Sequence, residues 1–243
     1  MEVLLQSLPR EELTELLGKV EVVVIPVGSI EDHGPHLPPE QDTASVLYVA
    51  VEAARRLYPK VLVAPPVALG LSPHYMRWPG TVTLKGETLV RLIVDICESL
   101  AKHGFKRIAV LNGHGSNYNP AYLPGVDVAP IDLAVTKGRE LGLKVTSATY
   151  WDLMPPGAFE EVLTYERSSG HGGEFETSIA LYIHPEKVRR DKLGPAEGIS
   201  KGAEAATREK GGRLIEAAVQ GTVTFLKGFT EGRINEVHYR PRA

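Results

Sequence analysis

The chain has a single cysteine in 243 residues, so no disulfide can form within it. Cys97 lies in the apolar pattern LVRLIVDICESL, where it reads as a buried, inert thiol. Long apolar runs are missing too, since no stretch reaches the roughly 18 consecutive apolar residues of a membrane-spanning helix. The N-terminal MEVLLQSLPREELTELLGK has neither a basic start nor a small-residue cleavage site after an apolar stretch, which argues against a secretory leader. The expectation is a cytoplasmic protein that does not engage a membrane. Positive charge is not in excess: 27 Lys and Arg stand against 30 Asp and Glu, for a net charge of -3. Nucleic-acid binding therefore has no electrostatic support, and a small-molecule partner is expected. Internal repeats, heptads, low-complexity tracts and Ser/Gly/Pro linkers are absent as well, so residues 1–243 are expected to form one domain. At 43% hydrophobic residues, the composition suits an ordinary globular core.

What is present is an alternation of two patterns. A first helix is expected around PREELTELL. VEVVVIPVG is short, valine-rich and closed by glycine, as a strand buried on both faces reads. DTASVLYVAVEAARRLYP then has helical spacing, a capping Asp42 or Thr43, and a stop before Pro59. Strand-like KVLVAPPVAL, helical GETLVRLIVDICESLAKHG, strand-like FKRIAVLNGHGSN and LGLKVTSATYW, and helical GGEFETSIALYIHPE follow. Strands that alternate with helices predict an α/β fold of three layers, α/β/α, around a mostly parallel sheet. The tail from residue 200 predicts a further helix, broken near Gly211 and Gly212, with no chemistry in it.

In such sheets ligands gather beyond the carboxyl ends of the strands, where the loops at 28–42 and 112–119 are expected to sit. The first loop, GSIEDHGPHLPPEQD, carries Glu31, His33 and Asp42; NGHGSN carries His114; and HGGEFETS carries His171 and Glu174. Two histidines and three carboxylates suit one or two divalent metals, with no thiolate available. Each residue also has a plainer role open to it. Asp42 would cap its helix, His114 would bond the backbone of its turn, and Glu174 would complement a helix dipole. His36, His184 and His238 read as packing or surface residues, and Arg167 reads as half of a surface ion pair. NGHGSN is not a phosphate loop, since no GK[ST] follows.

PVGSIEDHGPHLPPEQD, LNGHGSN and HGGEFETSIAL, in that order, resemble the creatininase (creatinine amidohydrolase) family, with similarity from about Val20 to about Pro185. The resemblance implies a creatininase-like fold and a binuclear site held by Glu31, His33, Asp42, His114 and Glu174, with Asp42 bridging. The ions implied are zinc, with manganese or iron in the second position. It further implies His171 as acid/base, a substrate-side loop SPHYMRWPGTVTL and a homo-oligomer, typically a hexamer; His74 and Trp78 are the candidate substrate contacts. Creatinine-cleaving members place a carboxylate two residues after the histidine of the Gly-rich loop, where this chain has Ser116. They also place a tryptophan four residues before the acid/base histidine, where it has Arg167. The expected activity is hydrolysis of a non-peptide C–N bond, in a cyclic amide or a formamide, by a metal-bound hydroxide. Lactone or small-peptide hydrolysis at the same site, and a metal-binding protein without turnover, are the alternatives.

Overall fold

VVVIPV forms strand β1 (Val22–Val27), and every one of its residues is buried. Alternate side chains enter two different cores, as the period of two in a strand requires. Val22 and Val24 join one, while Val23, Ile25 and Val27 join the other. The structure, a computed structural model, describes residues 1–123, 125 and 127–241. Among them β1 is flanked by β2 (Val61–Val63) and β3 (Arg107–Asn112), and β3 by β4 (Lys144–Thr149). The order is β2-β1-β3-β4 and all three pairings are parallel, with Val23 opposite Ile108 and Ile108 opposite Val145.

Pro26 sits inside central strand β1 without breaking the sheet. Its carbonyl accepts from Val67 N, so the N–H it lacks would point to the same side, where β2 has already ended at Val63. Helices α2 (Gln41–Arg56), α6 (Glu174–Ile183) and α7 (Arg208–Thr230) supply the core on one face of the sheet. On the other face lie α3 (Gly86–Lys102) and α4 (Pro130–Glu140). The layers are α/β/α, as the alternation of patterns predicts. Short helices α1 (Arg10–Leu17) and α5 (Ala158–Val162) complete the set. Cys97 is fully buried, which pushes its thiol up to about 12.

Two elements differ from expectation. Helix α4 lacks a strong helical pattern, because PIDLAVTKGRE has only a short apolar stripe; Pro130 at its first turn starts it. Helix α7 runs unbroken through Gly211 and Gly212. These glycines are contact points, not breakers: a Cβ on Gly211 would collide with the carbonyl of Ser178, so the two helices approach closely there. Among the described residues no helix is long and apolar enough to cross a membrane.

Candidate metal centre

The carboxyl end of β1 leads into the loop carrying Glu31 and His33, and the same loop runs on into α2, whose second residue is Asp42. The adjacent strand β3 ends at Asn112, and His114 follows two residues later. Asn112 holds that turn by donating to the His114 carbonyl (2.8 Å) and accepting from its N–H (3.2 Å). Asn117 ties the two loops together by donating to Gly28 O (3.2 Å). Both asparagines therefore build the loop. From the helical layer, α6 brings Glu176, and the segment before it brings His171.

Glu31, His33, Asp42, Glu176 and His114 are all buried, and they converge. Their ligand atoms form the overlapping sets Glu31/Asp42/His114, His33/Asp42/Glu176 and Glu31/His33/His171, each within 4.8 Å. The two oxygens of Asp42 divide between the first two sets. Oδ1 lies 3.2 Å from His33 Nε2, and Oδ2 lies 3.0 Å from His114 Nδ1. Glu176 Oε2 completes one side, 3.3 Å from His33 Nε2, and Glu31 Oε1 the other, 3.4 Å from His114 Nδ1.

The three imidazoles share a hydrogen-bonding logic. Each turns one nitrogen to a backbone carbonyl: His33 Nδ1 to Glu31 O (3.0 Å), His114 Nε2 to Leu71 O (3.0 Å), and His171 Nε2 to Asp32 O (2.7 Å). A carbonyl only accepts, so those nitrogens carry the hydrogen, and in the neutral rings the other nitrogen presents a lone pair. Those lone pairs face carboxylate oxygens, an arrangement that needs a cation between them, either a proton or a metal. Backbone partners of this kind set the tautomer of a metal-binding histidine. Glu31 Oε2 and Asp42 Oδ2 are buried without a well-formed hydrogen bond, which leaves acceptor capacity for such an ion. The donor set, imidazole nitrogens and carboxylate oxygens with no thiolate, fits one or two ions of the zinc or manganese type.

Without metal, protons hold the cluster together. Burial lowers His33 and His114, but the carboxylates outweigh it, Glu176 and Asp42 for the first and Asp42 and Glu31 for the second. His33 rises well above its ordinary value and His114 rises to about 9. Burial and Asp42 together raise Glu31 to about 7. Asp42 moves the other way; its burial, which alone would raise it, is overcome by His33 and His114.

Metal must displace these protons, so affinity should climb with pH. Calorimetric titration of metal-free protein with Zn²⁺ or Mn²⁺ at about pH 6 and about pH 8.5 is expected to show tighter binding at the higher pH and release of protons. The sign for the stability of the metal-free protein is the opposite, because raised groups such as His114 and Glu31 stabilise the fold at low pH and lose that contribution as pH rises through about 9 and about 7. Depressed Asp42 has the opposite sign, but only in acid, below its ordinary value. Metal-free protein should therefore melt progressively lower between about pH 4.5 and about pH 9, and metal should abolish the drop. Melting and affinity that ignore pH would contradict the proton-held cluster.

Glu174 is where the structure departs from the expected ligand set. Its carboxylate, fully buried, faces away from the cluster and takes Lys210 Nζ together with the N–H groups of Thr164 and Tyr165. Glu176 stands in the cluster instead. Residues two apart on a helix are about 200° apart around its axis, so one of this pair must point away from whatever the other faces. Gly172, at φ +60°, turns the chain between His171 and α6, and its N–H donates to Glu176 Oε2 (2.6 Å). The helix begins only at Glu174, so His171 is aimed by this hinge and not by helical spacing.

A cavity of about 200 Å³ opens over the cluster, lined by Glu31, Asp42, His74, Tyr75, His114, Gly115, Ser116, Trp151, Ser169, Gly170, His171 and Glu176. Of the two expected substrate contacts, His74 lines it, with Tyr122 Oη 3.0 Å from its Nδ1. Trp78 does not; its ring lies behind Tyr75 at 5.7 Å and under Arg77 at 3.8 Å. Tyr75 was not anticipated, and it stacks on His171 with ring centres 4.4 Å apart and planes 20° from parallel. Its neighbour His74 drew attention in the sequence, and nothing there distinguished which of the two aromatic rings would reach the imidazole. Arg167, expected in a surface ion pair, instead donates to the carbonyls of Leu163, Thr164 and Glu166.

A Creatininase family model, described as creatinine amidohydrolase, matches residues 6–226. Creatinine amidohydrolase of Pseudomonas putida is 32% identical over 238 residues, covering 85% of this chain and 88% of that one. Mycofactocin precursor peptide peptidase of Mycolicibacterium smegmatis is 33% identical over 183 residues and 74% of this chain, which spans 64% of that peptidase's length. Among solved structures, a manganese form of creatininase superimposes with a TM-score of 0.80 at 28% identity, covering 95% of this chain and 99% of that one. A zinc–zinc form of a creatininase variant does so at 0.78 and 28%, with the same coverage. From the extent of the family match and the identity to the Pseudomonas enzyme, the chain belongs to the creatininase family of hydrolases.

Proposed function

We propose that the protein is a metal-dependent amidohydrolase that cleaves a non-peptide C–N bond, in a cyclic amide or a formamide, at a binuclear centre. The observation that carries this reading is Asp42, whose two carboxylate oxygens each serve a separate set of donors. One ion would be held by Glu31, Asp42 and His114, the other by His33, Asp42 and Glu176. When bound, a pair of divalent ions, zinc or manganese, supplies Lewis acidity that brings the pKa of water from about 16 toward 7 and neutralises charge developing on an acyl oxygen.

The chain's own residues do the rest. His171 is lowered first of all by burial, so it is a neutral base at pH 7. Asp32 O fixes its hydrogen on Nε2, which leaves Nδ1, 3.3 Å from Glu31 Oε1, to take a proton from the attacking water. The same nitrogen then returns the proton to the departing amine, which leaves poorly as an anion. Tyr75 holds the ring by stacking on one face, and His33 lies at 4.3 Å. The setting proposed is a cytoplasmic homo-oligomer, a hexamer by family resemblance, which light scattering would size.

Screening metal-loaded protein against cyclic amides, formamides, lactones and small peptides, with product analysis, tests the assignment. Release of an amine from the first two classes supports it, and turnover confined to lactones or peptides would replace it. His171→Asn should cut kcat by about 10²- to 10⁴-fold while both metals stay bound, as expected for a proton carrier. Loss of metal in that variant would make His171 a ligand instead.

A further inference from the structure

We propose that the substrate carries an oxyanionic tail, a carboxylate or a phosphate, and that Arg240 receives it in a second chamber opening off the metal cavity. The inference rests on the metal-centre reading above and adds to it the class of molecule that fits. The second chamber, about 390 Å³, is larger than the first, and Gly115 and Trp151 line both. At Gly115 a Cβ would meet no atom within 4 Å, so the junction is open. A substrate confined to the metal cavity would leave the larger volume to water.

The walls of the second chamber say what would fill it. Among the described residues Arg240 is the sole Lys or Arg lining either cavity. Its one ionic contact among the described residues is Nε to Asp152 Oδ2 at 3.5 Å, which leaves the two terminal nitrogens, the fork that binds carboxylate or phosphate in bidentate fashion, without a described partner. Tyr118 adds a buried hydroxyl without a well-formed hydrogen bond. The arginine is anchored, although its side chain is exposed. The preceding residues pair with the outer edge of β4, where Ser147 N donates to Val237 O (2.9 Å) and Tyr239 N to Ser147 O (2.8 Å). His238, between them, stacks on Tyr118 at 4.1 Å.

The test compares probes with one metal-binding head and different tails on metal-loaded protein, by calorimetry. The probes are acetohydroxamate, the monohydroxamates of the straight-chain diacids from succinic to suberic, their methyl esters, and phosphonate-ended counterparts. At one chain length an anionic tail should bind about tenfold or more tightly than its ester. Arg240→Ala should erase that advantage without changing acetohydroxamate affinity, which also reports an intact fold, and Arg240→Lys should restore part of it. The better of carboxylate and phosphonate identifies the tail. Equal binding of acid and ester at every length, or equal weakening of both by Arg240→Ala, would overturn the proposal. Failure of acetohydroxamate itself to bind would instead overturn the metal-centre reading, and this inference with it.

Discussion

Asp42→Asn is expected to empty both metal positions and to lower turnover by about 10³-fold or more, the rate equivalent of several kcal/mol of lost Lewis-acid catalysis. The size follows from its position, since Asp42 is the one carboxylate whose oxygens reach both His33 and His114. Glu31 and His33 also meet in a third set with His171, but neither pairs with both of the histidines that Asp42 joins. Asparagine keeps the shape of the side chain but removes the charge that offsets two cations and replaces one oxygen with a nitrogen that cannot ligate. The backbone of α2 takes no cap from this side chain, and the stability lost is that of its pairing with protonated His33 and His114 in the metal-free protein. Elemental analysis beside kcat measures the outcome, and two ions per chain in the variant would remove the basis for the binuclear centre.

Glu174→Gln and Glu176→Gln are expected to fail in opposite ways. Glu176→Gln should lose the ion shared with His33 and most activity, and the metal-free protein should lose only the pairing of Glu176 with protonated His33. Glu174→Gln should retain its metal but lose about 3–5 kcal/mol of stability, because it strips the charge from a fully buried carboxylate that pairs with Lys210 and accepts from two backbone N–H groups. That pair joins α6 to the start of α7, next to the close approach at Gly211, so the loss would be felt as loosening of the helical layer. Urea denaturation and metal content, measured on both variants, separate the two roles. Metal loss in Glu174→Gln, with none in Glu176→Gln, would reverse the assignment.

Much of the architecture is legible in the chain because burial leaves a local trace. Strands such as VVVIPV are apolar on every residue only when both faces are covered, which already implies helices above and below the sheet. The loops that end β1 and β3 are equally plain, since Gly, Pro, His and acidic residues crowd there and a parallel sheet brings such loops together. Helix α4 is harder, because its apolar stripe is short. Unbroken α7 is harder still, because glycine in a helix and glycine that ends one look alike until the partner surface is known.

The candidate site divides along the same line. Glu31, His33, Asp42, His114 and His171 are recognisable as donors from their residue types and their place beside strand ends or turns. The choice between Glu174 and Glu176 is not local, since both lie in the first turn of one helix and each suits its dipole. Only the rotation of α6 against the sheet and against α7 settles it, by setting one carboxylate beside His33 and the other beside Lys210. Tyr75 over His171 and Arg240 beyond Trp151 belong to the same class, contacts made between segments far apart in the chain. By itself the sequence determined the layered sheet, the two loops and the kinds of ligand, because each rests on patterns within a dozen residues. Which side chain faces the cluster was decided by tertiary packing, because a helix presents all its faces equally until neighbouring elements bury some of them.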